Sequence, residues 1–276
     1  MGLPPLALGL VLSSALLHAL WNVLLAGAAA NKGAGAGKGF DVTIASNAFG
    51  FVAWTPLALA RWRVDDAAWG YLALSACFSV TYFLLLNVAY ARAPVHAAYP
   101  IARGLAPVLL LLLTLPTGGF HAVAVLGVLI ISGGIFLTSA GADRRSVLAA
   151  APVAVSLTCY TYVASLGLRH ADPATYFWLT MAPLVLVTSL ARPGAIRSRF
   201  QPVPLVIGLG SFAAHGLALA AISLVTAAQV AAVAALRETG ILFVIALTWF
   251  TARKPTRTAA LGAGIIFAGV VILAVR

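Results

Sequence analysis

Charged side chains are scarce in this sequence. Asp, Glu, Lys and Arg together make up 8% of its 276 residues, whereas a soluble globular chain carries roughly 25%. A water-facing surface cannot be assembled from so few charges, so the shortage argues against a soluble protein. Hydrophobic residues make up 62% of the chain, and a lipid bilayer is the solvent in which such a composition is stable.

Residue types that serve catalysis and cross-linking are also few. The six acidic residues form no paired-carboxylate motif, and the five histidines include no HExxH motif. We therefore predict no enzymatic activity and no metal or other cofactor. The two cysteines, Cys77 and Cys159, both lie in apolar runs, so we expect each to be a small buried hydrophobe rather than half of a disulfide.

Ten apolar runs, separated by charged residues, glycine and proline, approach the roughly 20 residues that a membrane-spanning helix needs. They predict an all-α integral membrane protein with ten transmembrane helices. The predicted spans are residues 5–28, 42–60, 67–91, 95–115, 120–140, 147–168, 174–190, 205–224, 228–250 and 258–275. The widest connectors are 29–41 and 191–204, and the first lacks the spacing of a phosphate-binding loop, so we expect no direct coupling to ATP.

An internal repeat divides the chain near its middle. Five residues of the fifth span recur 135 positions later: Leu126, Gly127, Ile130, Ile131 and Gly134 match Leu261, Gly262, Ile265, Ile266 and Gly269. Extending the alignment backwards with a one-residue gap places Arg103 opposite Arg237. Each half holds five predicted spans, and an odd number inverts the second copy. We therefore predict two inverted five-helix repeats, 1–141 and 142–276, an arrangement that recurs in secondary transporters.

Basic residues are unevenly distributed between the two ends of the predicted helices. Eleven of the 17 Lys and Arg fall in loops at one end and four at the other, while Arg103 and Arg237 lie within spans. The positive-inside rule then places the connector after the first span in the cytoplasm and both termini outside. Because these residues lie between apolar runs and not in one basic cluster, the net charge of +11 needs no nucleic-acid partner to explain it.

Several segments, in this order, resemble EamA-type members of the drug/metabolite transporter superfamily. They are Leu17-His-Ala-Leu-Trp-Asn22, Ala89-Tyr-Ala-Arg-Ala-Pro94 running into Tyr99-Pro-Ile-Ala-Arg103, and Ala235-Leu-Arg-Glu-Thr-Gly240. The resemblance covers nearly the whole chain and implies ten helices in two inverted five-helix repeats that carry small metabolites. It also implies cytoplasmic termini, which is opposite to the orientation from the charge count.

Three charged residues lie inside predicted spans. Arg103 is near the middle of the fourth span, and Arg237 and Glu238 are near the middle of the ninth. Each costs about 2.5–3.5 kcal/mol at a helix centre, so such residues pair or face a cavity. Adjacent helical residues do not face each other, so Glu238 is better placed to pair with Arg103. The remaining charge of +1 would attract a carboxylate or phosphonate, and a structural ion pair that locks the two repeats is an equal alternative.

One face of the first span, from Ser14 to Leu25, carries polar groups at helical spacing. We expect this face to look into the bundle. His18 on this face, with an ordinary pKa of about 6.5, would bind substrate, relay protons or simply hydrogen-bond a neighbouring helix. His215, four residues after Ser211 in the eighth span, has the same interpretations.

Aromatic residues complete the predicted site, because central aromatic rings suit cationic or zwitterionic amines through cation–π contact. The predicted substrate-binding residues are His18, Trp21, Asn22, Tyr82, Tyr99, Arg103, Tyr160, Trp178, His215, Arg237 and Glu238.

Together these features predict a secondary transporter, either an exporter or a facilitator. It would move a small organic metabolite such as an amino acid, an amine or a related zwitterion across the inner (plasma) membrane by alternating access, with protons as a candidate coupling ion. A ridge of small residues, Ala260, Gly264 and Ala268, permits close packing within a monomer or across a homodimer. The alternative is a non-transporting membrane protein, either a structural partner or an intramembrane enzyme.

Overall fold

The computed structural model describes residues 2–30, 37–93, 95–118, 121–138, 143–197, 202–249 and 256–274. These residues form a bundle of α-helices joined by short loops. The helices are α1 (Pro5–Ala30), α2 (Gly37–Ala60), α3 (Ala68–Arg92), α4 (Val95–Thr114), α5 (Ala122–Thr138), α6 (Arg144–Gly167), α7 (Pro173–Ala191), α8 (Pro193–Arg197), α9 (Pro202–Ser223), α10 (Val230–Arg237), α11 (Gly240–Trp249) and α12 (Arg257–Ala274).

The long helices present apolar side chains to their surroundings. Leu6, Leu148 and Leu190 are 64%, 63% and 71% exposed, and many other leucines and valines are exposed along the same helices. Nine segments of the described chain are helical, long and apolar enough to cross a membrane, and Ala122–Thr138 is a shorter apolar helix. The protein is therefore an all-α, multi-pass membrane protein, as the composition predicts.

The connectors differ in part from their predicted bounds. The first connector was predicted at 29–41, but α1 continues to Ala30 and α2 begins at Gly37, and the residues between them lie outside the described part of the chain. Within the predicted connector 191–204, the segment Pro193–Arg197 forms the short helix α8. The apolar pattern locates the centres of helices better than their ends, because helix ends fray and their assigned bounds vary by a residue or two.

The predicted span 228–250 is not one continuous helix. After α10 ends at Arg237, the amides of Glu238 and Thr239 bond carbonyls three residues back, at N···O distances of 3.1 and 3.2 Å, and α11 then begins at Gly240. This tightening resembles a short 3₁₀ turn, a common form of helix interruption. A Cβ at Gly240 would lie 3.0 Å from the carbonyl oxygen of Ala15, so glycine allows the interruption to pack closely on α1.

Several helix contacts occur twice in the bundle, the second time with the two halves of the chain interchanged. α1 packs on α9 as α6 packs on α3, α2 packs on α9 as α7 packs on α3, and α4 packs on α6 as α10 and α11 pack on α1. α5 and α12, the last helix of each half, pack on one another. Matching α1 to α5 in order with α6, α7, α9, α10–α11 and α12 therefore gives each of these contacts a counterpart.

Glycines of the sequence repeat form the contact between α5 and α12. A Cβ added at Gly134 would lie 2.8 Å from the carbonyl oxygen of Gly262, and one added at Gly262 would lie 2.8 Å from that of Gly134. Gly127 and Gly269 approach each other in the same reciprocal way. The repeat recognised in the sequence is thus a pair of surfaces on which two helix backbones meet.

The predicted small-residue ridge is not part of this packing. Ala260, Gly264 and Ala268 are all exposed on α12, and nothing lies within 4 Å of a Cβ added at Gly264. Its predicted use within the monomer is wrong, because the buried face of α12 carries Gly262 and Gly269 instead.

Both cysteines are free, as predicted. Cys159 is half-buried, but Cys77 is exposed on α3. The predicted burial is therefore wrong for Cys77, since an apolar surface in contact with lipid accommodates a thiol as readily as a protein core does.

Replacing Gly134 with alanine should destabilise the protein by about 1–3 kcal/mol, because the new methyl group would overlap backbone atoms of α12 that cannot turn aside. Thermal or denaturant-induced unfolding in detergent measures the change. Gly133→Ala is the matched control, since nothing lies within 4 Å of its added Cβ, and helix propensity alone favours alanine by about 1 kcal/mol. Equal effects of the two substitutions would contradict the close α5–α12 contact.

Candidate substrate-binding cavity

A cavity of about 460 Å³ lies inside the helix bundle. Its walls come from α1, α2, α3, α4, α6, α7, α9 and α10, so both halves of the chain contribute. It extends from His18 and Arg237, near the middle of the bundle, to Leu25 and Tyr90, near the ends of α1 and α3. A volume in this range suits a small organic molecule.

An ion pair joins the two halves at this cavity. Arg103 Nη1 donates to Glu238 Oε1 at 2.9 Å, and each side chain is only 10% exposed. Arg103 also donates from Nη2 to the Tyr82 hydroxyl at 3.4 Å, and its Cζ lies 5.2 Å from the centre of the Tyr99 ring. The predicted pairing of Glu238 with Arg103 is confirmed. The two residues are 135 positions apart, which is the offset of the repeated glycines.

Arg237 lines the same cavity, and its side chain forms no ion pair with the described residues. Its Nε and Nη2 are buried and have no hydrogen-bond partner among the described residues. The interrupted helix gives both neighbouring charges a favourable place, because Arg237 lies in the last turn of α10 and Glu238 lies two residues before the start of α11 at Gly240. Arg103, Arg237 and Glu238 together leave one uncompensated positive charge at the cavity.

Two histidines lie close together between α1 and α9. The centres of the His18 and His215 rings are 6.0 Å apart. His18 Nε2 lies 3.4 Å from the Tyr99 hydroxyl, and His215 Nδ1 lies 2.8 Å from the carbonyl oxygen of Ser211. A carbonyl oxygen only accepts, so Nδ1 of His215 carries the proton, and Nε2 is the acceptor of the neutral ring.

The structure brings most of the predicted site residues together. Nine of the eleven line the cavity: His18, Trp21, Asn22, Tyr82, Tyr99, Arg103, Tyr160, His215 and Arg237. Glu238 reaches it through its bond to Arg103 and lines a small adjoining cavity of about 30 Å³.

Trp178 is the exception, and its predicted place in the cavity is wrong. It packs between α7 and α2, where its Nε1 donates to the Thr55 hydroxyl at 2.9 Å and its ring stacks on Phe51 at a centre distance of 5.1 Å. Because α7 is apolar on every side, its sequence does not indicate which face turns inward.

The sequence-based site omitted the second helix. Thr43, Ser46 and Asn47 of α2 line the cavity, as do Asn87 and Tyr90 of α3. The three α2 residues are spaced three and four apart, which places them on one helical face. This spacing was available in the sequence and would have indicated a polar inward face.

The other end of the bundle is held closed by contacts between the two halves. Val64, in the loop between α2 and α3, forms an antiparallel bridge with Ala171, in the loop between α6 and α7. The amide of Asp65 donates to the carbonyl oxygen of His170 at 2.8 Å, and Arg61 Nε lies 3.3 Å from a carboxylate oxygen of Asp172.

Comparisons with known proteins inform the fold. No family model matches the sequence, and a search of curated proteins finds no match. Among solved structures, 27 chains match. The crystal structure of one such protein aligns with 98% of this chain and 96% of its own, with a TM-score of 0.71 and 18% sequence identity. At that identity the similarity shows a shared fold and carries no information about activity.

Proposed function

We propose that this protein is a secondary transporter, an exporter or facilitator, that moves a small organic metabolite across the plasma membrane by alternating access. The candidate substrates are an amino acid, an amine or a related zwitterion. The observation that carries the proposal is a cavity lined by two arginines, Arg103 and Arg237, inside a bundle whose outer surface is apolar. Such charges are costly within a membrane and are characteristic of substrate and ion pathways.

The helix contacts that recur with the two halves interchanged support ten spans arranged as two inverted five-helix repeats. The contacts of α1 with α9, of α2 with α9 and of α4 with α6 each have a counterpart under this matching, and α5 and α12 meet through repeated glycines. Inverted repeats place a substrate site near the midplane between them. The resemblance to EamA-type transporters leads to the same architecture.

Alternating access is supported by the difference between the two ends of the cavity. The cavity extends towards the end where α1 finishes and α2 begins, whereas the Val64–Ala171 bridge ties the halves together at the opposite end. By the positive-inside rule, the first of these ends is cytoplasmic. Opening the bridged end while closing the other would carry a bound solute across.

Uptake of radiolabelled metabolites into proteoliposomes tests the proposal. A panel of amino acids, amines and their derivatives should include at least one solute whose uptake saturates. Asn47→Trp, which fills the cavity, should abolish that uptake, whereas Val52→Trp, on the same helix with Val52 68% exposed to the surroundings, should leave it unchanged. A non-transporting membrane protein would give no saturable uptake of any solute. Equal uptake by Asn47→Trp and Val52→Trp would show that transport does not use this cavity.

A further inference from the structure

Unpartnered polar atoms are concentrated at the central cavity. Five buried side-chain atoms of residues that line it have no hydrogen-bond partner among the described residues: His18 Nδ1, Trp21 Nε1, Ser46 Oγ, Arg237 Nε and Arg237 Nη2. The indole of Trp21 and the guanidinium of Arg237 can only donate hydrogen bonds. The cavity therefore has an excess of donors.

The described residues of the cavity wall include no carboxylate that pairs with Arg237. Among the described residues, Glu238 is the one carboxylate at the cavity, because none of the five aspartates lines it. Its Oε1 accepts from Arg103 at 2.9 Å. Arg237 has no carboxylate within ion-pairing distance in the described chain. A buried cation without a partner is strongly disfavoured, so a ligand that brings one negative charge and acceptor atoms would complete this site.

We infer that Arg237 binds a single oxyanion group of the substrate, a carboxylate or a phosphonate, while Arg103 remains paired with Glu238. The inference rests on the proposed function, because the site is the transport cavity, and it narrows the substrate class. Amines that carry no oxyanion are disfavoured by the remaining positive charge. Amino acids and other organic acids are favoured, with their apolar part against the rings of Phe40, Phe83 and Tyr90.

The guanidinium must turn to reach such a ligand. Nε and Nη2 of Arg237 are buried, whereas the residue also lines the open space of about 460 Å³. Several rotatable bonds in the arginine side chain allow this movement, and a guanidinium binds the two oxygens of an oxyanion through a planar pair of donors. The adjoining cavity of about 30 Å³ is large enough only for water.

Binding of matched probes to the detergent-purified full chain tests the inference separately from transport. The probes share one branched alkyl group: 4-methylpentanoate, 3-methylbutylphosphonate, the neutral 4-methylpentanamide and the cationic 3-methylbutylamine. We expect one or both oxyanions to bind at least about tenfold more tightly than the amide or the amine, because a hydrogen bond to a charged group is worth roughly 10- to 100-fold in affinity. The carboxylate and phosphonate arms identify which oxyanion the site prefers.

Arg237→Gln should remove the preference for oxyanions, and Arg145→Gln, which alters an exposed arginine outside the cavity, should preserve it. Without ligand, Arg237→Gln should unfold at a temperature equal to or higher than the unsubstituted protein, since it removes an unpaired buried charge. If Arg237 were instead a cation that stabilises the fold, its substitution would lower the unfolding temperature, and that result would overturn the inference. Equal binding of amine and acid, or binding of no probe by the unsubstituted protein, would also overturn it. Oxyanion binding without flux would contradict the transport proposal alone.

Discussion

Replacing Arg103 with glutamine should lower the free energy of unfolding by about 3–5 kcal/mol, because the carboxylate of Glu238 would be left buried without its partner. The pair spans the two halves of the chain at a distance of 2.9 Å, and both side chains are 10% exposed. Glu238→Gln should have an effect of similar size, since it would leave the buried Arg103 without its carboxylate partner.

Unfolding in detergent, followed by circular dichroism, measures these changes in a double-mutant cycle. The double variant Arg103→Gln/Glu238→Gln should regain most of the lost stability, because neither charge remains unpaired. The exposed pair Arg192–Asp41, with an N···O distance of 3.2 Å and an arginine side chain that is 51% exposed, is the matched control. Arg192→Gln should cost no more than about 1 kcal/mol. Additive effects in the buried pair would contradict the bond between Arg103 and Glu238.

The same double variant separates the two roles considered for the ion pair. A pair that serves only to lock the halves together can be replaced by neutral residues with little effect on uptake. A pair that positions Arg237 for the substrate cannot, and the Michaelis constant for uptake should then rise while the protein remains folded.

A disulfide across the closed end of the cavity should abolish transport. Val64 and Ala171 are antiparallel bridge partners from different halves, and the Cα atoms of such partners lie roughly 4.5–5.5 Å apart, within the range that a disulfide accepts. In a background with Cys77→Ser and Cys159→Ser, the pair Val64→Cys/Ala171→Cys should lose uptake on oxidation and recover it on reduction. The physical reason is that alternating access requires these two loops to separate.

The single variant Val64→Cys in the same background controls for effects of the oxidant. Cross-linking is followed by the shift of the protein on a non-reducing gel. Undiminished uptake at complete cross-linking would show that the bridged end does not open, and the proposed movement would then be wrong.

Apolar runs predicted the helices of this protein because lipid leaves the backbone no other way to satisfy its hydrogen bonds. The pairing of Glu238 with Arg103 was predictable for a related reason, since a charge inside a membrane requires a partner and the sequence offers few. The prediction of helices depends on lipid as the solvent, and the prediction of the ion pair depends on how few charged residues lie within the spans. Neither requires knowledge of which face of a helix packs against which neighbour.

Features that depend on helix rotation or on local packing were harder to predict. Trp178 belongs to a helix that is apolar all round, so nothing in its sequence distinguishes the cavity side from the α2 side. The interruption after Arg237 follows an alanine-rich segment that reads as uninterrupted helix, and it depends on the close approach of Gly240 to Ala15 in another helix. Such a contact cannot be recognised without the neighbouring helix.

Counterflow in proteoliposomes tests the central proposal most directly. Vesicles loaded with an unlabelled solute that shows saturable uptake are diluted into a trace of the same solute in labelled form. A carrier with one cavity that opens alternately to the two sides should accumulate the label transiently above its equilibrium level, and Asn47→Trp should remove this overshoot. Label that only approaches equilibrium, or does not enter at all, would contradict the assignment of this protein as an alternating-access carrier.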